Sequence, residues 1–245
     1  MYNPEFQTGV IHPVECFKEG WELIKSDYWI LFAISLVGML IGGFSMYILL
    51  GAMLCGIYYC FLRKIDTGTV SFDDLWKGFS FMLPSLIVTL LIVVPMFIVF
   101  GIIYVPIILA LVAGPNLSPD EAMGLFVSAA IFDVIVAVIM VCLHTLLIFS
   151  FPLIIDRKMS ALESVKLSAR AVWQNLGGIA GLVGLSYILM LIPGIITCGI
   201  GTYFVIPIMF AAFMVAYRKV FPSSNNQFNN QPPPPNAFRG AGSYN

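Results

Sequence analysis

Asp133 and His144 are the ionisable side chains that interrupt an otherwise apolar stretch, 122–155. They lie 11 residues apart, so on an α-helix they fall within about 20° around the axis and about 16 Å along it. An ionisable group inside an apolar run is costly and marks a functional site by default. A carboxylate and an imidazole on one water-accessible helix face could relay protons or ions. A structural reading stands beside this one. It places Asp133 near the outer interface and has His144 donating to a carbonyl of a neighbouring helix. The remaining chemistry-bearing residues form no constellation. There is no G-x-S-x-G, Walker loop, H-E-x-x-H or C-x-x-C. The two histidines, one of them His12 in the N-terminal segment, make a metal site hard to assemble. We expect no enzyme activity, cofactor or metal. The five cysteines (Cys16, Cys55, Cys60, Cys142 and Cys198) are odd in number and scattered, and read as free, buried thiols. A net charge of -1 points away from nucleic acid.

The elements that position these residues belong to a membrane. Charged residues make up 10% of the 245, against roughly 25% in a soluble domain. Stretches 28–62, 81–112 and 177–217 carry no charge. Such runs are long enough to cross a hydrocarbon core about 30 Å thick, and they are apolar all round, which excludes a barrel. Between them lie short amphipathic segments. At 13–27, Val14, Phe17, Trp21, Ile24 and Tyr28 form one face. At 71–80 the face is Phe72, Leu75, Trp76 and Phe79; at 160–174 it is Leu162, Val165, Ala169 and Val172. Ser71 with Asp74, and Ser160 with Glu163, read as capping boxes at the starts of the last two. Such helices suit a membrane interface. We therefore expect an all-α polytopic membrane protein of three repeats, each an interfacial helix followed by a transmembrane hairpin.

The six spans fall at about 28–44, 46–62, 81–112, 121–155, 177–193 and 195–217, in a membrane domain covering 1–221. Hairpin turns are expected near Gly42-Gly43 and Pro193-Gly194. Pro84, Pro95 and Pro106 recur every 11 residues and share a face that can bend 81–112. If 81–112 and 121–155 are each hairpins, the count becomes eight. All twelve Lys and Arg lie in the N-terminal segment, 63–77, 157–170 or 218–239. Paired spans put them on one side, which the positive-inside rule makes cytoplasmic, with both termini there. Trp21, Trp29, Trp76 and Trp173 fall at the same interface. The tail 222–245, with Pro232–Pro235, is expected to be disordered and cytoplasmic. Small residues four apart (Gly38 and Gly42, Ala52 and Gly56, Gly177 and Gly181, Ala180 and Gly184) let helices approach closely.

The third repeat carries Phe151-Pro152-Leu153-Ile154-Ile155-Asp156, then 160–168 (SALESVKLS), then Trp173-Gln174-Asn175. With Gly56-Ile57-Tyr58 and Asp74-Leu75-x-x-Gly78-Phe79 upstream, this pattern resembles uncharacterised bacterial multi-pass membrane families. They are related to the membrane domain on some glycerophosphodiester phosphodiesterases. The resemblance spans about 14–220 and implies a six-helix plasma (inner) membrane protein. The phosphodiesterase domain itself is absent, so its activity does not carry over. The expected function is a non-enzymatic scaffold, assembly or partner-binding module among membrane lipids, working with a membrane-protein partner or as a homo-oligomer. The alternative is a transporter or channel for a small solute or ion, with Asp133 and His144 as the groups that would couple it to protons.

Overall fold

The computed structural model describes residues 6–113 and 118–223 of the protein. All but the first two residues of the tail expected at 222–245, and the middle of the loop 113–120, lie outside them. The described residues are all-helical, without a strand: α1 (Pro13–Ile24), α2 (Tyr28–Phe44), α3 (Leu50–Thr67), a 3-10 helix (Phe72–Phe81), α4 (Met82–Ala113), α5 (Pro119–Leu146), α6 (Ser150–Arg157), α7 (Ala161–Gln174), α8 (Leu176–Ile196) and α9 (Ile200–Val220). The three amphipathic segments become α1, the 3-10 helix and α7. Four helical segments are long and apolar enough to cross a membrane: 72–105, 123–157, α8 and α9. The count reaches five if α1 and α2, bent by 106° at their junction, form one span. This is fewer than the six expected. The shortfall is at α2, which has 17 residues and counts only together with α1, and at α3, whose last turns carry Arg63, Lys64 and Asp66. Its uncharged part, 50–62, is about 20 Å long, short of a hydrocarbon core about 30 Å thick.

The helix α3 is instead the centre of the packing. Met53, Cys55, Ile57, Cys60 and Phe61 are fully buried along it. The 3-10 helix lies across it in backbone contact. A Cβ on Gly56 would stand 2.0 Å from the Leu75 carbonyl oxygen, and one on Gly78 2.0 Å from that of Ala52. The three-residue period follows from this contact. In a 3-10 helix residues three apart eclipse, so Phe72, Leu75, Gly78 and Phe81 share one face, where the α-helical reading had placed Trp76 and Phe79. Trp76 and Phe79 point outward and stack on each other. The Ser71 hydroxyl makes no cap here. Its expected partner Asp74 is taken by Arg63 and by Lys77 at 2.8 Å. Ser160 and Glu163 do form the reciprocal capping box, and Ser118 with Glu121 forms another.

Turns also differ from the glycine and proline signals. The α2–α3 turn lies at 45–49, where Ser45 donates to the Gly42 carbonyl (2.8 Å) and accepts from the Leu49 N–H (3.0 Å). Gly42 lies within α2, and a Cβ there would meet Leu50 Cδ1 at 2.8 Å, so the glycine serves close approach rather than turning. The α8 helix runs through Pro193 to Ile196, so the proline lies inside its last turn rather than at the break. The break comes at Cys198 and Gly199, with φ of 51° and 95°.

Helix α4 is continuous through Pro84, Pro95 and Pro106, at 32 residues, and is no hairpin. The 121–155 stretch, by contrast, breaks after Leu146. Pro152 explains where: it occupies the third position of α6, where an N–H has no partner to lose. Ser168 of α7 satisfies both sides of the break, donating to the Leu146 carbonyl (2.7 Å) and accepting from the Phe149 N–H (3.2 Å). Leu147, Ile148 and Phe149 are thereby turned into the core.

Candidate functional site

Two polar assemblies and one apolar cavity stand out. The first assembly joins the charged residues at one end of the bundle. Arg218 of α9 binds Asp156 of α6 through two hydrogen bonds (2.7 and 2.8 Å) and Asp66 of α3 at 2.5 Å. Tyr217 donates to the same Asp156 carboxylate at 2.8 Å. Lys219 pairs with Glu19 of α1 at 2.8 Å, Lys64 with Asp27, and Asp74 with both Arg63 and Lys77. The Lys64 ammonium holds the Asp27 carboxyl below its ordinary range, with Ser26 assisting. The Ser160 capping hydrogen bonds do the same for Glu163. Asn175, at the end of the Trp173-Gln174-Asn175 motif, accepts from the Gly9 N–H (2.8 Å) and donates to the Gln7 carbonyl (3.1 Å). The Gln7 N–H in turn reaches the Val220 carbonyl at 2.8 Å, so the two ends of the described chain meet here. The basic pairs read from the sequence as topology markers thus include the cations of an ion-pair network.

The second assembly is one hydrogen bond between long helices. The Tyr104 hydroxyl of α4 donates to Asp133 of α5 at 2.8 Å, both side chains half-buried. Around it α4 and α5 leave large apolar side chains outward, among them Phe97, Ile102, Phe126, Phe132 and Val138.

The cavity has a volume of about 340 Å³ and lies between α2, α3, α4, α8 and α9 and the α5–α6 junction. Its wall is mainly Met, Leu, Ile, Val and Phe, with polar tips from Tyr58, Ser186, Tyr187 and His144. The Ser186 hydroxyl is occupied by the Leu182 carbonyl at 2.7 Å. Tyr58 is held between Phe210, edge to face at 5.4 Å between centroids, and Phe151 at 6.4 Å.

Of the two sequence candidates, His144 lines this cavity and Asp133 does not. They share α5, yet one faces the cavity while the other is bonded across to α4. Tyr58 and Tyr104 carried no sequence signal as partners of these sites. Both sit in uncharged runs, where a tyrosine is as compatible with lipid as with a cavity. All five cysteines are free; Cys16, Cys55 and Cys60 are buried, whereas Cys142 and Cys198 are exposed, contrary to the expected burial. Their exposure follows from position: Cys142 is on the outer face of α5 and Cys198 in the α8–α9 turn. No protein-family model matches the chain, and no curated protein or solved structure shows significant similarity to it.

Proposed function

We infer that this chain is a multi-pass plasma (inner) membrane protein acting as a non-enzymatic, partner-binding module. Its ion-paired end lies at the cytoplasmic face with both termini, and its α4–α5 arm meets the transmembrane helices of a partner or a second copy. The observation that carries this reading is Asp133, half-buried against Tyr104 on an arm whose outward side chains are mainly apolar. A carboxyl facing hydrocarbon is costly, and covering it with protein removes that cost. Charge supports the orientation: Arg63, Lys64, Lys77, Arg218 and Lys219 share one end with the Gln7–Val220 contact. Trp21, Trp29, Trp76 and Trp173 stay exposed on α1, α2, the 3-10 helix and α7, as an interfacial belt requires.

Site-specific photo-crosslinkers test the reading. Placed at Phe97 and Phe132 on the arm, they trap a membrane protein or a second copy in intact cells. Placed at Ile192 and Ile195 on α8, they trap lipid. Lipid adducts alone from the arm would overturn the partner-binding role. The orientation is tested separately with single cysteines at Ser118 and Ser224 in a background lacking native cysteines. Ser118 is labelled by an impermeant reagent from outside and Ser224 is protected; the reverse pattern inverts the topology.

A further inference from the structure

The cavity has the features of a ligand site. Its volume of about 340 Å³ falls in the range of roughly 300–1,000 Å³ typical of small-molecule pockets, which occur between helices of bundles. An engineered cavity of about 150 Å³ takes a benzene ring, so this one holds on the order of a dozen carbon atoms. Tyr58 is 8% exposed, yet among the described residues no protein group hydrogen-bonds its hydroxyl, which is left to the cavity that the ring lines. A hydroxyl at an apolar wall with no protein partner is open to a hydrogen bond from the cavity side, which a ligand oxygen would supply. The His144 ring, exposed at the rim, likewise has no protein hydrogen bond among the described residues.

We propose that the cavity binds one acyl chain of a membrane phospholipid, with the chain's carbonyl oxygen accepting a hydrogen bond from the Tyr58 hydroxyl. The mouth lies between α5 and α8, where the exposed lining residues His144 and Tyr187 stand. It faces the apolar flank of the bundle, which is where lipid would be. Depth agrees as well. Tyr58 lies about 8 Å along α3 from Arg63 and Lys64, and the interfacial layer of a bilayer is about 5–8 Å thick per side. A group at that depth meets ester carbonyls rather than headgroup phosphates. The apolar wall beyond it, from Leu54 to Met209 and Met190, takes the hydrocarbon. Binding rests on the membrane placement inferred above.

The test uses the full chain in vesicles containing a diazirine-bearing phosphatidylethanolamine with the label on its acyl chain. Adducts concentrate on Leu54, Met190 and Met209 and are competed by unlabelled lipid. Val183→Trp, which fills the cavity, abolishes these adducts while annular labelling of α4 and α5 persists. Tyr58→Phe preserves shape and weakens competition by unlabelled lipid roughly fivefold, the loss of one hydrogen bond. Size-exclusion profiles and melting of both variants establish that they fold. Adducts spread evenly over the exposed helices and unchanged by Val183→Trp would overturn the site. Hexadecane competing as well as the lipid, with Tyr58→Phe unaffected, would overturn the carbonyl contact. Release of the chain from membranes by alkaline carbonate would instead sink the membrane placement, independently of where adducts map.

Discussion

The ion-paired end and the α4–α5 arm are built by opposite rules. At the first, short elements cross in backbone contact, and charged groups from α1, α3, α6, α9 and the 3-10 helix satisfy one another. The arm consists of two helices of 32 and 28 residues; beyond the turns of α4 that bury Ser85, Val88 and Thr89, they are joined by the Tyr104–Asp133 bond and face mainly outward. Side-chain size is critical in one region and nearly free in the other. A Cβ at Gly101 or Gly124 on the arm meets nothing within 4 Å, whereas at Gly56 or Gly78 it would overlap a carbonyl oxygen. Rigidity is therefore concentrated where polar groups must find protein partners, and the arm is left to its surroundings.

The largest difference is expected from glycine. Gly78→Val should prevent folding, because overpacking already costs about 1–3 kcal/mol where neighbours can shift and here the neighbours are backbone. Gly124→Ala on the arm should leave the melting temperature in mild detergent unchanged or slightly raised. Equal effects at the two sites would break the contrast. Next comes Arg218→Met. It leaves Asp66 without its partner and Asp156 with Tyr217 alone, and should cost about 1–3 kcal/mol, read as a drop in melting temperature. Ser168→Ala, at the junction of the two regions, leaves the Leu146 carbonyl and the Phe149 N–H unpaired. About 1–3 kcal/mol is expected, with proteolytic cleavage appearing near 147–149.

A pH titration sharpens the comparison further. Asp27 and Glu163 have carboxyl groups held below their ordinary values in the folded protein, so the unfolded chain binds protons more readily than the folded one. Their contribution is therefore present above about pH 4 and is lost as pH falls through the depressed folded values. Asp27→Asn should flatten part of the acid-side fall in melting temperature; an unchanged curve would remove the Lys64 pair from the stability of this end. The smallest effect belongs to Asp133→Asn. Asn still accepts from Tyr104, so melting should move by less than about 0.5 kcal/mol equivalent. The same variant separates function classes. Proton or cation flux in reconstituted liposomes that is present in wild type and lost in a stable Asp133→Asn would favour the transporter reading over the binding module.

Much of this contrast could be read in the residues. The spacing located α1 and α7, and Ser160 with Glu163 marked the start of α7. The packed faces were not legible: α7 buries Ala161, Ser164, Leu167, Ser168, Ala171 and Val172 and turns Leu162 outward, while Val14 and Trp21 of α1 are exposed. What failed were signals with two physical meanings. Gly42 reads equally as a turn or as a close approach, and only the neighbouring Leu50 decides it. Pro152 reads as a kink until its place in the first turn of α6 is known. Asp74 looked like a cap because its partner in sequence, Ser71, is near, while its partners in space include Arg63 across the 3-10 helix. Asp133 and His144 share a face by helical arithmetic, but the elements packed on α5 differ along its length. Pairings between distant segments, such as Arg218 with Asp66 or Tyr58 with the cavity, leave no trace in spacing.

The meeting of Gln7 with Val220 bears on how the molecule is made. Synthesis runs from the N-terminus, so α1 and α3 leave the ribosome long before α9 exists. Until then Glu19 lacks Lys219, Asp66 lacks Arg218, and the 6–12 segment lacks both its Asn175 clamp and the Val220 carbonyl. Each early helix must wait in the membrane with its late partners missing. The closing event is the arrival of the last two turns of α9, which engage α1, α3 and α6 together. A nascent chain stalled before Arg218 would hold its helices inserted but unlocked, as substrates for quality-control proteolysis.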